Sequence, residues 1–138
     1  MTLFLQGRVL NPGVAQGAPI VFDDPLSFWG GFDARCGRVI DKQHPQYGAV
    51  ITDKILVTPG SRGSAGTPGV LAESLRLKTG PIGIILDRPD INVTTGAQIV
   101  SELYDVDIPV IALNAEGFQT ILSWTALSIE RDGRLSGQ

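Results

Sequence analysis

Between Lys54 and Glu73 the chain reads Lys-Ile-Leu-Val-Thr-Pro-Gly-Ser-Arg-Gly-Ser-Ala-Gly-Thr-Pro-Gly-Val-Leu-Ala-Glu. This stretch restricts the fold more than any other. Ile55, Leu56 and Val57 form a short apolar run of strand character. Gly60, Gly63 and Gly66 allow a tight turn and a close approach of backbone to a ligand. Thr67 is read as the N-cap of a following helix and Pro68 as its first residue, where a missing N–H costs nothing. The result is a strand, a Gly/Ser loop and a helix over Pro68–Leu77. Such a loop lies at the positive end of a helix dipole, where a carboxylate or phosphate binds. Arg62 adds a cation, and Ser61 and Ser64 add hydroxyls, in the same turn. The plain alternative is a connection with no ligand. The Gly-x-x-Gly-x-x-Gly spacing fits neither a Walker loop, since no Lys-Ser or Lys-Thr follows, nor a dinucleotide fingerprint.

A second cluster, Pro25-Leu-Ser-Phe-Trp-Gly-Gly-Phe-Asp33, sets Phe28 and Trp29 beside Gly30 and Gly31. Either the loop encloses a ligand, or the two aromatics plug the core and the glycines turn the chain. Asp33 follows the loop and is a candidate to meet substrate or an interface arginine. The next segment, Gly37-Arg-Val-Ile-Asp-Lys-Gln-His-Pro-Gln-Tyr-Gly48, is a short strand entering a polar loop. His44 there is either a turn histidine or a residue of a pocket rim or interface.

The remaining pattern is α/β. Leu3–Leu10 and Gly17–Phe22 read as strands around the Asn11-Pro-Gly13 turn, with short strands at Val39–Ile40 and Ala49–Ile51. Gly83–Leu86 and Pro109–Leu113 read as further strands. Thr95–Tyr104 reads as a helix with Ala97, Val100 and Leu103 on one face. Thr125–Glu130 and a last strand flank an Asp132-Gly133 hairpin turn. Asp87, Arg88 and Asp90 read as a solvated connection, although a loop at a strand's C-terminal end can line a site in open α/β sheets. Asp23 and Asp24, adjacent and therefore on opposite faces, read as a solvated turn rather than paired acid and base. Trp124 is assigned to the core or an interface.

At 138 residues the chain is expected to form one domain, residues 1–138, with a real core. A formal net charge of −3 gives no electrostatic case for nucleic acid. No apolar run long enough to span a membrane exists, and Met1–Arg8 turns polar too soon for a signal peptide, so the cytoplasm is the expected compartment. One cysteine, Cys36, and one histidine, His44, exclude an internal disulfide and a metal or iron–sulfur site built by this chain alone.

Taken together, Leu26-Ser-Phe-Trp-Gly-Gly31, Gly37-x-Val-Ile-Asp41, His44-Pro45, Gly48 and Gly60-x-x-Gly-Ser64 resemble the small subunit, or swivel domain, of aconitase X. The resemblance runs from about Gly7 to Asp132. It implies the swivelling β/β/α fold shared with isopropylmalate isomerase small subunits. It also implies a lyase: a hydro-lyase assembled as a heterodimer with a large subunit that carries iron or an iron–sulfur cluster. The small hydroxy-carboxylate substrate is expected to be cis-3-hydroxy-L-proline, with mevalonate 5-phosphate as the alternative. The family's catalytic serine maps onto Ser64, which would take a proton from carbon as an alkoxide held by amides and cations. Arg62, Gly63, Ser61, Phe28, Trp29, Gly30 and Gly31 are the expected substrate-binding residues. Just after the serine the chain departs from many relatives, with Ala65, Gly66, Thr67 and Pro68 where a cysteine or a second serine is common. A non-catalytic binding or regulatory module of the same fold is the reading of another class; retention of Ser64 and Arg62 argues against it.

Overall fold

The computed structural model describes residues 2–63 and 65–138. Its centre is a five-stranded sheet in the order β2 (Arg8–Asn11), β9 (Val110–Ala112), β8 (Gly83–Leu86), β7 (Ile55–Thr58), β4 (Pro19–Val21). β4, β7, β8 and β9 run parallel, and β2 closes the far edge antiparallel to β9. The three inner strands are continuous apolar runs because both of their faces are covered. Alternation along each strand divides the core. Leu56, Ile84, Leu86 and Val110 face one side, where they meet Leu71 and Leu75 of α2 (Thr67–Leu77) and Val93, Ala97 and Val100 of α3 (Ile91–Tyr104). Ile55, Val57, Ile85 and Ile111 face the other side, against Leu127, Ile129 and Leu135.

Those last residues belong to a four-stranded antiparallel sheet, in the order β1 (Leu3–Gln6), β11 (Arg134–Gly137), β10 (Leu127–Ile129), β3 (Ala15–Gly17). The layers are therefore helices, central sheet and second sheet, the β/β/α arrangement expected from the resemblance. A small ribbon of β5 (Phe32–Asp33) and β6 (Arg38–Val39) carries the segment after the aromatic loop, which itself forms a single irregular turn, α1 (Phe28–Gly31).

Several expected elements are corrected. The single strand Leu3–Leu10 is two strands in different sheets, broken at Gly7, where a Cβ would lie 2.1 Å from Ile111 Cγ2. Gly17–Phe22 is likewise split between β3 and β4 as the chain passes from one sheet to the other. Ala49–Ile51 is not a strand; only a bridge between Val50 and Arg38 forms. The helix expected from Thr95 begins four residues earlier, at Ile91, and Leu103 is exposed together with Tyr104 in its last turn, beyond the buried stripe that ends at Val100. A short helix, α4 (Ala115–Ile121), capped by Asn114 through the Gly117 N–H at 2.8 Å, had no counterpart in the sequence reading. Among the described residues no helix is long and apolar enough to cross a membrane.

Candidate functional site

Topology gathers the singled-out motifs at one end of the central sheet. The aromatic loop follows β4, the Gly/Ser loop follows β7, the Asp87–Asp90 turn follows β8 and Asn114 follows β9. All four segments leave the C-terminal ends of the parallel strands, where open α/β sheets bind ligands.

Direct bonds join the first two loops. The Leu26 N–H donates to the Gly60 carbonyl (3.2 Å), and the Arg62 N–H donates to the Leu26 carbonyl (2.9 Å), so Leu26 and Ser61 form a parallel bridge. The Gly60 N–H donates to Thr58 Oγ1 (3.2 Å), which closes the turn at the end of β7. Gly60 sits at φ +132°, a conformation that a side chain rarely permits. Further along, Trp29 lies over the start of α2: a Cβ on Gly66 would be 3.3 Å from Trp29 Cβ, Cδ2 and Cε3.

The two aromatics of the loop take different positions. Phe28 is 1% exposed and packs edge-on to Phe32 with ring centroids 5.3 Å apart. Grouped with the ligand-facing residues by sequence, it is instead the plug. Trp29 is 66% exposed, which rules out the plug reading for this residue. Gly30 is exposed beside it and Gly31 is buried, its carbonyl accepting from the Ile40 N–H (2.9 Å) and the Asp41 N–H (3.3 Å).

On the Gly/Ser loop, Arg62 and Gly63 are exposed. Among the described residues Arg62 makes no ion pair, so its guanidinium is available to an anion. Ser64, the expected base, lies outside the described residues. Thr67 is not the N-cap. Gly66 takes that place with no side-chain cap, and Thr67 is the first helical residue, fully buried, with its Oγ1 unpartnered among the described residues. α3 and α4 both carry side-chain caps.

Ser61 points elsewhere than toward solvent. Its N–H and its Oγ–H both donate to Asp90 Oδ2, at 2.7 and 2.8 Å, while Asp90 Oδ1 accepts from the Val93 N–H at 3.1 Å and caps α3. Asp90 is thus no solvated connection; it ties the Gly/Ser loop to a helix N-terminus. The sequence carries a signal for it, an Asp directly before the apolar helical run that starts at Ile91.

The other candidates are held by local structure. His44 is 6% exposed; its Nδ1 accepts from the Gln46 N–H (3.0 Å), which leaves Nε2–H to donate to the Asp24 carbonyl (3.0 Å), with Phe22 edge-on at 5.0 Å. This is a turn histidine. Asp33 binds Arg35, with Nη2 to Oδ2 at 3.2 Å, and the hydrogen bonds from Arg35 hold its carboxyl below the usual range. Cys36 is exposed. Trp124 is in the core. Among the described residues no group of three or more His, Cys, Asp or Glu converges, and the one histidine has both ring nitrogens engaged, so these residues do not fit an iron or iron–sulfur centre.

Residues 4–136 match the aconitase X swivel domain. The chain belongs to that family. A cis-3-hydroxy-L-proline dehydratase of Hypocrea jecorina is 38% identical over 118 residues, which are 86% of this chain and 20% of that protein. A phosphomevalonate dehydratase small subunit of Methanothermobacter thermautotrophicus is 38% identical over 102 residues, 74% of this chain and 77% of that one. The swivel chain thus spans about a fifth of the hydroxyproline enzyme and about three quarters of the small subunit. The crystal structure of Thermococcus kodakaraensis aconitase X in its holo-form superposes with a TM-score of 0.83 at 28% identity, covering 99% of this chain and 98% of that chain. The aconitase X swivel fold therefore extends over nearly the whole chain.

Proposed function

We propose that this chain, as one domain of residues 1–138, is the swivel component of a cytoplasmic aconitase X-type hydro-lyase, working with a large subunit. One observation carries the reading: in a member of this family, the Leu26–Gly31 loop and the Gly60–Gly66 loop are bonded together at the C-terminal end of the parallel strands, under an exposed Trp29 and beside Arg62, which makes no ion pair among the described residues.

In this reading Arg62, Gly63, Trp29 and Gly30 meet a small hydroxy-carboxylate, with Ser61, Gly31 and Phe28 holding the loops behind them. The start of α2 and Arg62 favour the substrate carboxylate and any enolate-like charge that develops on it. Ser64, as alkoxide, takes the proton from the carbon that bears the carboxylate. The C–H electrons become the new double bond, and the hydroxyl on the neighbouring carbon leaves. Iron or an iron–sulfur cluster is assigned to the large subunit, because the described residues of this chain do not fit one.

The preferred substrate is cis-3-hydroxy-L-proline, supported by the larger aligned share, 86% of the chain. Mevalonate 5-phosphate is the second reading, supported by the small-subunit relative at equal identity. Both present an acidic C–H next to a carboxylate and a hydroxyl one carbon further on, so one base serves either. The test is reconstitution with the large subunit and assay of both substrates in deuterated water. Ser64→Ala should lower exchange of the carbon-bound proton by about 10²–10⁴. Normal exchange in that variant would place the base elsewhere. Arg62→Ala should mainly raise KM, as expected for a charged partner of the substrate anion.

A further inference from the structure

We infer that Asp90 is a positioning residue for the reaction: its carboxylate staples the base-bearing loop to α3 and sets the register of both site loops. The inference rests on the functional reading above, since it names what holds that loop in place. Asp90 Oδ2 accepts two bonds from one residue, the Ser61 N–H (2.7 Å) and the Ser61 hydroxyl (2.8 Å). Its other oxygen takes the Val93 N–H (3.1 Å), so the carboxylate is oriented at both ends. Ser61 is the residue bridged to Leu26, and the bonds on either side of it run to Leu26 from Gly60 and Arg62. One carboxylate thereby fixes the point at which the aromatic loop and the Gly/Ser loop meet.

Gly60 gives an independent sign that this fit is built in. A Cβ there would stand 2.8 Å from Asp90 Oδ2, so the absence of a side chain at 60 is what admits the carboxylate. Among the described residues Asp90 makes no ion pair with Arg62. It acts through Ser61, and its effect is on geometry. Misplacing a reacting group by about 1 Å costs roughly 10²-fold in rate, which is the scale to expect if the staple opens.

Asp90→Asn separates this role from helix capping. Asparagine caps as well as aspartate, but with one oxygen and one amide it cannot accept from Val93 on one side and from both Ser61 donors on the other. In the reconstituted enzyme kcat should fall about 10²-fold with KM within about threefold. With the cap kept, the melting temperature should fall by less than about 10 °C, which leaves the variant folded at the assay temperature. Should Asp90→Asn melt far lower, Ser61→Ala carries the test. It removes one bond of the staple and no cap, so the melting temperature should fall by less than about 5 °C while kcat falls about tenfold. Normal kcat in whichever variant stays folded overturns the inference. Ser64→Ala run in parallel keeps the two ideas apart. Turnover surviving in Ser64→Ala overturns the functional reading and this one with it. Turnover lost in Ser64→Ala but normal in the folded Asp90 or Ser61 variant overturns the positioning role alone.

Discussion

Gly60→Ala strains the junction on which the site depends. A residue with a Cβ held at φ +132° carries about 1–3 kcal/mol of backbone strain. The new Cβ would also stand 2.8 Å from Asp90 Oδ2, well inside van der Waals contact. Aspartate is short, and Asp90 is anchored by Val93 and Ser61, so it cannot yield without breaking bonds. Each bond to its carboxylate is worth about 1.5–3 kcal/mol when intact, and water recovers part of that at this half-buried position. The sum comes to about 3–4 kcal/mol, or roughly 10–15 °C in melting temperature for a chain of this size. Thermal unfolding followed by far-ultraviolet circular dichroism measures it directly. Gly66→Ala is the comparison. Its Cβ would press on Trp29 at 3.3 Å, but Trp29 is exposed and can shift by tenths of an ångström, so the loss should stay under about 1 kcal/mol. A Gly60→Ala loss no larger than that of Gly66→Ala would refute the reasoning about the junction.

Three other outcomes follow from the same geometry. Phe28→Ala should cost about 3–5 kcal/mol in chemical denaturation because it empties a core position, while Trp29→Ala should change stability by under about 1 kcal/mol and impair turnover instead. Thr67→Val should raise the melting temperature by about 2–4 °C, since it replaces a buried, unpartnered hydroxyl with a methyl of the same shape; a fall would show that the hydroxyl has a partner in solution. Arg35 and Arg76 hold the carboxyls of Asp33 and Glu73 below their ordinary values through hydrogen bonds. Carboxyls lowered in this way contribute stability that is complete above the ordinary carboxylate range and is lost as pH falls through the lowered values. Arg35→Gln with Arg76→Gln should therefore lower stability slightly at neutral pH and make no difference once pH has fallen below the lowered values, where the contribution is already lost; an equal loss at neutral and strongly acid pH contradicts the assignment.

The amino-acid sequence alone determined the parts whose stability is local or whose pattern has one solution. Ile55–Val57, Gly83–Leu86 and Pro109–Leu113 are apolar on consecutive positions, which suits strands covered on both faces, and they are the centre of the sheet. The glycines and prolines from Pro59 to Pro68 mark the loop and the helix that leaves it to within a residue. The Leu26–Gly31 and Gly60–Ser64 motifs carry the resemblance to the family to which the chain belongs.

Tertiary structure decided the rest, because it depends on groups far apart in the chain. Alternation within Leu3–Leu10 is the same whichever sheet receives it, so the change of sheet at Gly7 has no local sign; it exists because Ile111 lies against that point. Phe28 and Trp29 are neighbours of equal apolar character, and only the packing of Phe32 and the surface of Gly66 send one inward and one outward. Ser61 and Asp90 are separated by 29 positions and read separately as a free hydroxyl and a solvated acid. They become one staple because β7 and β8 lie side by side and parallel, which delivers the loops at their C-terminal ends to the same place.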